Sequence, residues 1–401
     1  MKSRPVVLIY CQHSLGMGHL VRSFSLAAAL APDFRVVFLN GGPLPAQPPV
    51  PDGVEIVQLA PLGMAEGGGL VSRDRRFTVE QAKASRRDRI MAIFARTRPD
   101  VIIVELFPFG RQKFADELLP LLTAGRRSAR PPVTLCSLRD LLVDRGAKQR
   151  AHDNRTARIV NDYFDGVLLH ADPAFARLEE SFRPDLPLTP PVYYTGFVAP
   201  GGDGSEAVVA PGSIVVSAGS GIVGAALFDA AVEAQKDLWR KTRLPMAVVA
   251  GPFLPEDAWR ELCRKAGDRP GLTLFRAVPN IGTELRQAAV SVSQCGYNTA
   301  MDILGAEVPA LVVPFVRPKE NEQINRARRL KRLGVVDILE PERLDGMALA
   351  QAIGKVLDTE AVSECLDLNG AERTAAVICD LAAKRDKPPT LARVDHAGFR
   401  S

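Results

Sequence analysis

Residues 16–22, GMGHLVR, place one imidazole, His19, in a glycine turn close behind the apolar run of residues 6–11. A neutral imidazole there can take a proton from a hydroxyl or from water, and a neighbouring carboxylate orients it and strengthens it as a base. Glu105, at the end of the apolar run VIIVE, is the candidate carboxylate. It equally suits an acceptor hydroxyl, or a structural ion pair with Arg111, Arg139 or another guanidinium. An isolated histidine beside a helix start also serves as a plain cap or loop residue, a reading that the flanking Gly16 and Gly18 weigh against.

A second turn, SAGSGIVGAAL, sets Gly219, Ser220 and Gly221 between a strand and a helix. The backbone N–H groups of such a turn and the positive end of the helix dipole suit a diphosphate. The turn follows neither GxGxxG nor the lysine-bearing phosphate loop, so it implies neither NAD nor ATP, and glycines also serve geometry alone. Further on, Gly296 opens a helix that carries Asn298, Thr299 and Asp302 near its start. Asn298 and Asp302 are four apart and share a face, where Asp302 would accept hydrogen bonds from vicinal sugar hydroxyls or stand as an ordinary solvated acid. Glu320, Glu322 and Gln323 open the next helix; acids are commonplace in a first turn, and the glutamine is the less usual residue. No DxD pair and no HExxH spacing occurs. Leaving-group charge would then fall to N–H groups and helix dipoles rather than to a divalent ion, with no cofactor expected.

These groups need open parallel sheets to gather them at strand C-termini. Runs rich in Val, Ile and Leu at 6–11, 36–40, 54–59, 101–106, 133–137 and 167–170, and at 214–218, 247–251, 272–275, 290–293 and 310–314, alternate with helical stretches. That pattern predicts two doubly wound α/β domains. The helix after the first turn would bury Leu20, Phe24, Ala27 or Ala28, and Ala31, leaving His19 in its first turn. The expected organisation is an N-terminal acceptor-side domain (1–198), a Gly/Pro-rich linker (199–212), a C-terminal nucleotide-binding domain (213–383) whose last helix packs back on the first, and an exposed tail (384–401).

The 401 residues, 46% apolar and 24% charged, describe a globular protein too long for one core. The first apolar run is too short for a leader or a membrane span, which predicts a cytoplasmic protein. Cys11, Cys136 and Cys295 read as reduced, buried small hydrophobes. A net charge of +5 does not point to nucleic acid. The arginine-rich stretch 73–98 reads as a solvated helix face, or as a contact for an anionic acceptor or an anionic membrane surface.

Taken together, these motifs resemble the GT-B glycosyltransferases, in the family 28 branch that includes the lipid-linked N-acetylglucosaminyl transferase of peptidoglycan synthesis. The resemblance is strongest over residues 291–336, then 6–30 and 214–227, and weak over 54–198. It implies two Rossmann-like domains facing across a cleft, with Gly16, Gly18 and His19 against acceptor and diphosphate. It further implies Gly219, Ser220 and Gly221 on donor phosphates, and Asp302 on the ribose, where the family more usually has glutamate. Glu320, Glu322 and Gln323 would meet the donor sugar, and the 277–281 loop, with Val278 and Ile281, the base. The PFGR and SLRD segments, at 108–111 and 137–140, resemble an uncharacterised bacterial branch of predicted transferases. GMGHLVR is also similar to the GFGHIKR-type loop of the nucleotide-sugar hydrolase of pseudaminic acid biosynthesis, whose histidine activates water. The expected activity is inverting, metal-independent transfer from a nucleotide diphosphate sugar, a UDP-sugar foremost, to an acceptor hydroxyl. The alternatives are a nucleotide-sugar hydrolase or epimerase, and a non-catalytic nucleotide-sugar-binding protein.

Overall fold

A computed structural model describes residues 4–13, 17–45, 49–65, 68–142, 145–200, 204–316, 321–360, 362 and 366–385. In the first half β1 (Val6–Cys11), α1 (Gly18–Leu30), β2 (Arg35–Asn40) and β3 (Val54–Gln58) are followed by a hairpin, β4 (Leu62–Met64) and β5 (Leu70–Ser72). Then come α2 (Val79–Thr97), β6 (Val101–Glu105), α3 (Ala115–Arg127), β7 (Val133–Arg139), α4 (Gln149–Tyr163), β8 (Gly166–His170) and β9 (Val192–Tyr194). The second half runs β10 (Ile214–Ser217), α5 (Ala225–Thr242), β11 (Met246–Val249), α6 (Glu256–Ala266), β12 (Leu272–Phe275), α7 (Ile281–Leu285), β13 (Val290–Ser293) and α8 (Tyr297–Ala306). It closes with β14 (Ala310–Val312), α9 (Glu322–Arg332), β15 (Asp337–Ile338), α10 (Gly346–Leu357) and α11 (Gly370–Arg385).

Apart from the β4–β5 hairpin, the strands form two parallel sheets, ordered β3-β2-β1-β6-β7-β8-β9 and β12-β11-β10-β13-β14-β15. Each order reverses once, between β1 and β6 and between β10 and β13, and ligands in open α/β sheets lie outside the strand C-termini at such a reversal. His19 and Glu105 follow or end the first pair of strands; the 219–221 turn and Gly296 follow the second. All eleven expected strands form. Those that the sequence pattern misses, β4, β5, β9 and β15, are two or three residues long, too short to carry a period.

Two features differ from expectation. Arg86, at the centre of the basic stretch, is completely buried rather than solvated, although Arg87 and Arg89 beside it are exposed. Lys384 and Arg385 belong to α11 rather than to a tail, and Arg385 donates to the Asp100 carboxylate at 2.5 Å. α11 is a C-terminal element on the N-terminal sheet: Ala375 and Ile378 share a core with Val7, Ile9, Phe24 and Leu30. The chain reaches it by crossing its own outgoing segment at Gly196 and Gly370. A Cβ on Gly370 would fall 2.4 Å from the Gly196 carbonyl oxygen, so only glycine fits. Among the described residues no helix is long and apolar enough to cross a membrane.

Candidate active site

Adjacent parallel strands bring His19 and Glu105 together. β6 ends on Glu105, which is 1% exposed, and Leu106 turns the chain away at once with φ of 65°. Such a backbone is costly for a branched residue and marks a position fixed by its surroundings. His19 lies in the first turn of α1, with Nδ1 2.5 Å from Glu105 Oε1. Arg22, one turn further on, donates to the same oxygen at 2.5 Å. Burial, aided by Arg111 and Arg139 against Glu105, pushes the His19 imidazole down to about 3. Burial alone would raise the Glu105 carboxyl, but His19, Arg22 and Arg111 outweigh it and hold it at about 2. At neutral pH the pair is therefore a neutral imidazole donating from Nδ1 to a carboxylate, which leaves the Nε2 lone pair as the basic site.

The guanidinium that pairs with Glu105 is neither Arg111 nor Arg139 but Arg22, a partner the sequence left unnamed. Its signal was present: it lies three residues after His19, hence on the same helix face. Arg139 instead donates to Glu322 of α9 at 2.5 Å. Several polar atoms here are buried with no hydrogen-bond partner among the described residues: Glu105 Oε2 and the Nε atoms of Arg22, Arg111 and Arg139. Unsatisfied buried groups are expensive, and their concentration around His19 is a cost that a ligand would relieve.

On the facing half, Gly219 and Gly221 have φ of 57° and 88°, and a Cβ on Gly221 would fall 2.3 Å from the Ala250 carbonyl oxygen. Glycine is required there for a tight turn that packs on the β11 loop. Gln294 ties the turn to β13, donating to the Val223 carbonyl at 2.8 Å. Gly296 is the N-cap of α8, and Thr299 Oγ1 lies 3.7 Å from a Cβ position on Gly219 and 3.8 Å from one on Gly296. The 219–221 turn and the α8 N-terminus thus converge on one hydroxyl. Asp302, one turn deeper, has its carboxyl pushed up to about 7 by burial, against the pull of Arg286. It neighbours α7, where a Cβ on Gly282 would lie 3.5 Å from Asp302 Oδ1. Ile281, the first residue of α7, and Val278 just before it are half-buried against the core, so the 277–281 loop and Asp302 adjoin. The halves meet where Asn298 Nδ2 donates to the Gly18 carbonyl at 3.4 Å.

Two candidate sugar ligands are already engaged. Glu322 is paired with Arg139, and the Gln323 amide oxygen accepts from the N–H groups of Cys295 and Phe315 at 3.1 and 3.0 Å. Gln323 thereby fastens the loops after β13 and β14, with only its NH2 group left for a ligand. Gly16 and Glu320 lie outside the described residues. Among the described residues no group of three or more His, Cys, Asp or Glu side chains is placed to hold a metal.

Residues 213–373 match the model of the glycosyltransferase family 28 C-terminal domain. No curated protein matches the sequence. The whole fold is similar to that of CalG4, the calicheamicin glycosyltransferase, with a TM-score of 0.62 and 16% identity over 97% of this chain and 100% of that one. It is similar to Acinetobacter baumannii MurG, with a TM-score of 0.57 and 14% identity over 95% and 99% of the two chains. A Polygonum tinctorium UDP-glucosyltransferase capable of glucosylating indoxyl matches with a TM-score of 0.61 and 15% identity, over 96% and 95%. The fold is GT-B.

Proposed function

We propose that the protein is an inverting, metal-independent glycosyltransferase that moves a sugar from a nucleotide diphosphate donor, with a UDP-sugar as the foremost candidate, to an acceptor hydroxyl. The observation that carries this reading is the His19–Glu105 pair, 2.5 Å apart, in a helix start whose Gly18 carbonyl accepts from Asn298 of α8 at 3.4 Å. His19 Nε2 takes the proton of the attacking hydroxyl, and Glu105 stabilises the imidazolium that forms. Attack on the face of the anomeric carbon opposite the leaving group inverts that centre. The departing diphosphate is met by the N–H groups of Gly219, Ser220 and Gly221 and by the α8 dipole. Asp302 accepts from the ribose hydroxyls, and the 277–281 loop lies along the base.

The test is a thermal-shift panel of UDP, TDP, GDP and their sugars, followed by mass spectrometry of the products from the best binder with and without acceptor extracts. Wild type is expected to be stabilised by one nucleotide family and to glycosylate an acceptor, whereas His19→Ala is stabilised equally but does not turn over. Free sugar released without any acceptor would reassign the nucleophile to water. An interconverted nucleotide sugar would make the protein an epimerase, and tight binding with no turnover of any donor a sensor. A melt that no nucleotide shifts would remove the donor site.

A further inference from the structure

The base has a neighbour that belongs to the other half of the molecule. Tyr297, the first residue of α8 and 4% exposed, is buried in the joint between the two sheets. Its hydroxyl donates to the His170 carbonyl at 3.1 Å and accepts from the Val198 N–H at 3.0 Å, so the ring is held at its far end by the N-terminal half. Two guanidinium groups lie against the ring, Arg22 with Cζ 5.4 Å from the centroid and Arg326 at 5.8 Å. Arg326 is itself fixed by a buried two-point pair with Asp140, at 2.7 and 2.8 Å, and by the Cys295 carbonyl at 2.9 Å. Arg22 is the cation that shares Glu105 Oε1 with His19. A guanidinium over an aromatic face in a desolvated joint is held by the ring quadrupole, and its planar fork then has a fixed direction.

We propose that Tyr297 and Arg22 are positioning residues for the base: the ring at the start of the donor-side helix aims the Arg22 guanidinium at Glu105, and thereby sets how strongly Glu105 acts on His19. The inference rests on the reading of His19 as the base, but its physical content, a coupling between Tyr297 and the His19 imidazole, does not depend on turnover. Without the ring, Arg22 is free to leave the shared oxygen. The Glu105 charge then acts on His19 less opposed, and the imidazole holds its proton to higher pH. The charged groups facing His19 are Glu105 from β6, Arg22 from its own helix, Arg111 from the loop after β6 and Arg139 from the end of β7. Of these, only Arg22 touches Tyr297.

The experiment is 15N NMR titration of the full chain with labelled histidine, in wild type, Arg22→Gln, Tyr297→Leu and Tyr297→Phe. The five histidines make assignment by single replacement practical. In wild type His19 is expected to stay neutral, with its proton on Nδ1, throughout the range in which the protein is folded. Arg22→Gln and Tyr297→Leu should each raise the His19 midpoint by about one to two pH units, and the double variant by no more than the larger single shift. Tyr297→Phe keeps the ring and should leave the His19 midpoint unchanged. A wild-type His19 titration in Tyr297→Leu, or additive shifts in the double variant, overturns the coupling. If Tyr297→Leu does not fold, Arg22→Lys asks the same question from the other partner: it keeps the cation, loses the planar face, and should raise the midpoint, whereas an unchanged midpoint overturns the proposal. Turnover by His19→Ala would remove the base assignment and leave this coupling intact, so the two failures are distinguishable.

Discussion

Two buried arginine–glutamate pairs lie on opposite faces of the N-terminal sheet. On one face Arg86 donates to both oxygens of Glu117, to the Tyr10 hydroxyl, to Gln12 Oε1 and to the carbonyls of Gly41 and Ala60. Tyr10 completes that network by donating to Glu117 Oε1 at 2.5 Å. On the other face Arg22 and His19 crowd one oxygen of Glu105, while Glu105 Oε2 and Arg22 Nε have no partner among the described residues. A fully satisfied buried network rigidifies what it joins, here α2, α3 and the strand-end loops. A half-satisfied one is costly to keep, and is retained where a ligand completes it. The two histidines at these strand ends divide in the same way. His170 has both ring nitrogens engaged, by Ser137 at 2.8 Å and Thr195 at 2.9 Å, whereas among the described residues no hydrogen bond reaches His19 Nε2.

Breaking each pair should therefore have opposite signatures. His19→Ala is expected to lower kcat/KM by about 10²- to 10⁴-fold with little change in Tm, measured as product formation from the donor found in the nucleotide panel. Arg86→Met leaves the Glu117 charge buried without its cation and should cost about 3 to 5 kcal/mol in denaturant unfolding, while the kcat of the folded fraction stays close to wild type. A stable Arg86→Met protein that has lost turnover would erase the distinction between the two networks.

Much of this was legible in the sequence, and where it was not the reason is physical. The long strands announced themselves because a buried parallel strand is an apolar run, and the 219–221 turn because positive φ leaves few residues but glycine. That Glu105 could orient His19 followed from a strand end and a helix start at the same edge of the sheet, and the two side chains do meet. Arg22 and Arg86 were not separated from surface arginines, because a cation's burial depends on partners that only the fold supplies: Glu105 is 83 residues from Arg22, and Glu117 is 31 from Arg86. Tyr297 was invisible for the same reason, since its contacts with Arg22, His170 and Val198 reach into the other half. Glu322 and Gln323 were placed at the right helix start, but their engagement by Arg139 and by two loop N–H groups could not be read from a first-turn pattern.

A smaller effect sharpens the histidine contrast. His19 and His170 are both pushed down to about 3, chiefly by burial, from about 6.5 in an unfolded chain. Between those values the unfolded chain binds more protons, so each histidine contributes stability above pH 6.5 that is lost as pH falls toward 3. His19→Gln should flatten the rise of Tm with pH across that window by its own share. In the wild type kcat/KM should show no acid limb near pH 6.5; a limb there would mean that His19 titrates normally.

Asp302 offers the smallest effect, and one of opposite sign. Its carboxyl is pushed up to about 7 by burial, from about 3.9 in an unfolded chain, so between these values the native state binds more protons. Its contribution is therefore most favourable below pH 4 and is lost as pH rises through 7, above which the fold carries a desolvated carboxylate opposed only in part by Arg286. Asp302→Asn removes that charge at nearly constant shape, and should raise Tm by a few degrees at pH 8 with no gain at pH 4. On the proposed reading the same change removes an acceptor for ribose hydroxyls and should weaken nucleotide binding in the thermal-shift assay. Stability gained together with affinity lost would place Asp302 with Glu105, as a buried group whose partner is a ligand. A fall in Tm at pH 8 would place it with Glu117, as a carboxylate that the fold itself needs.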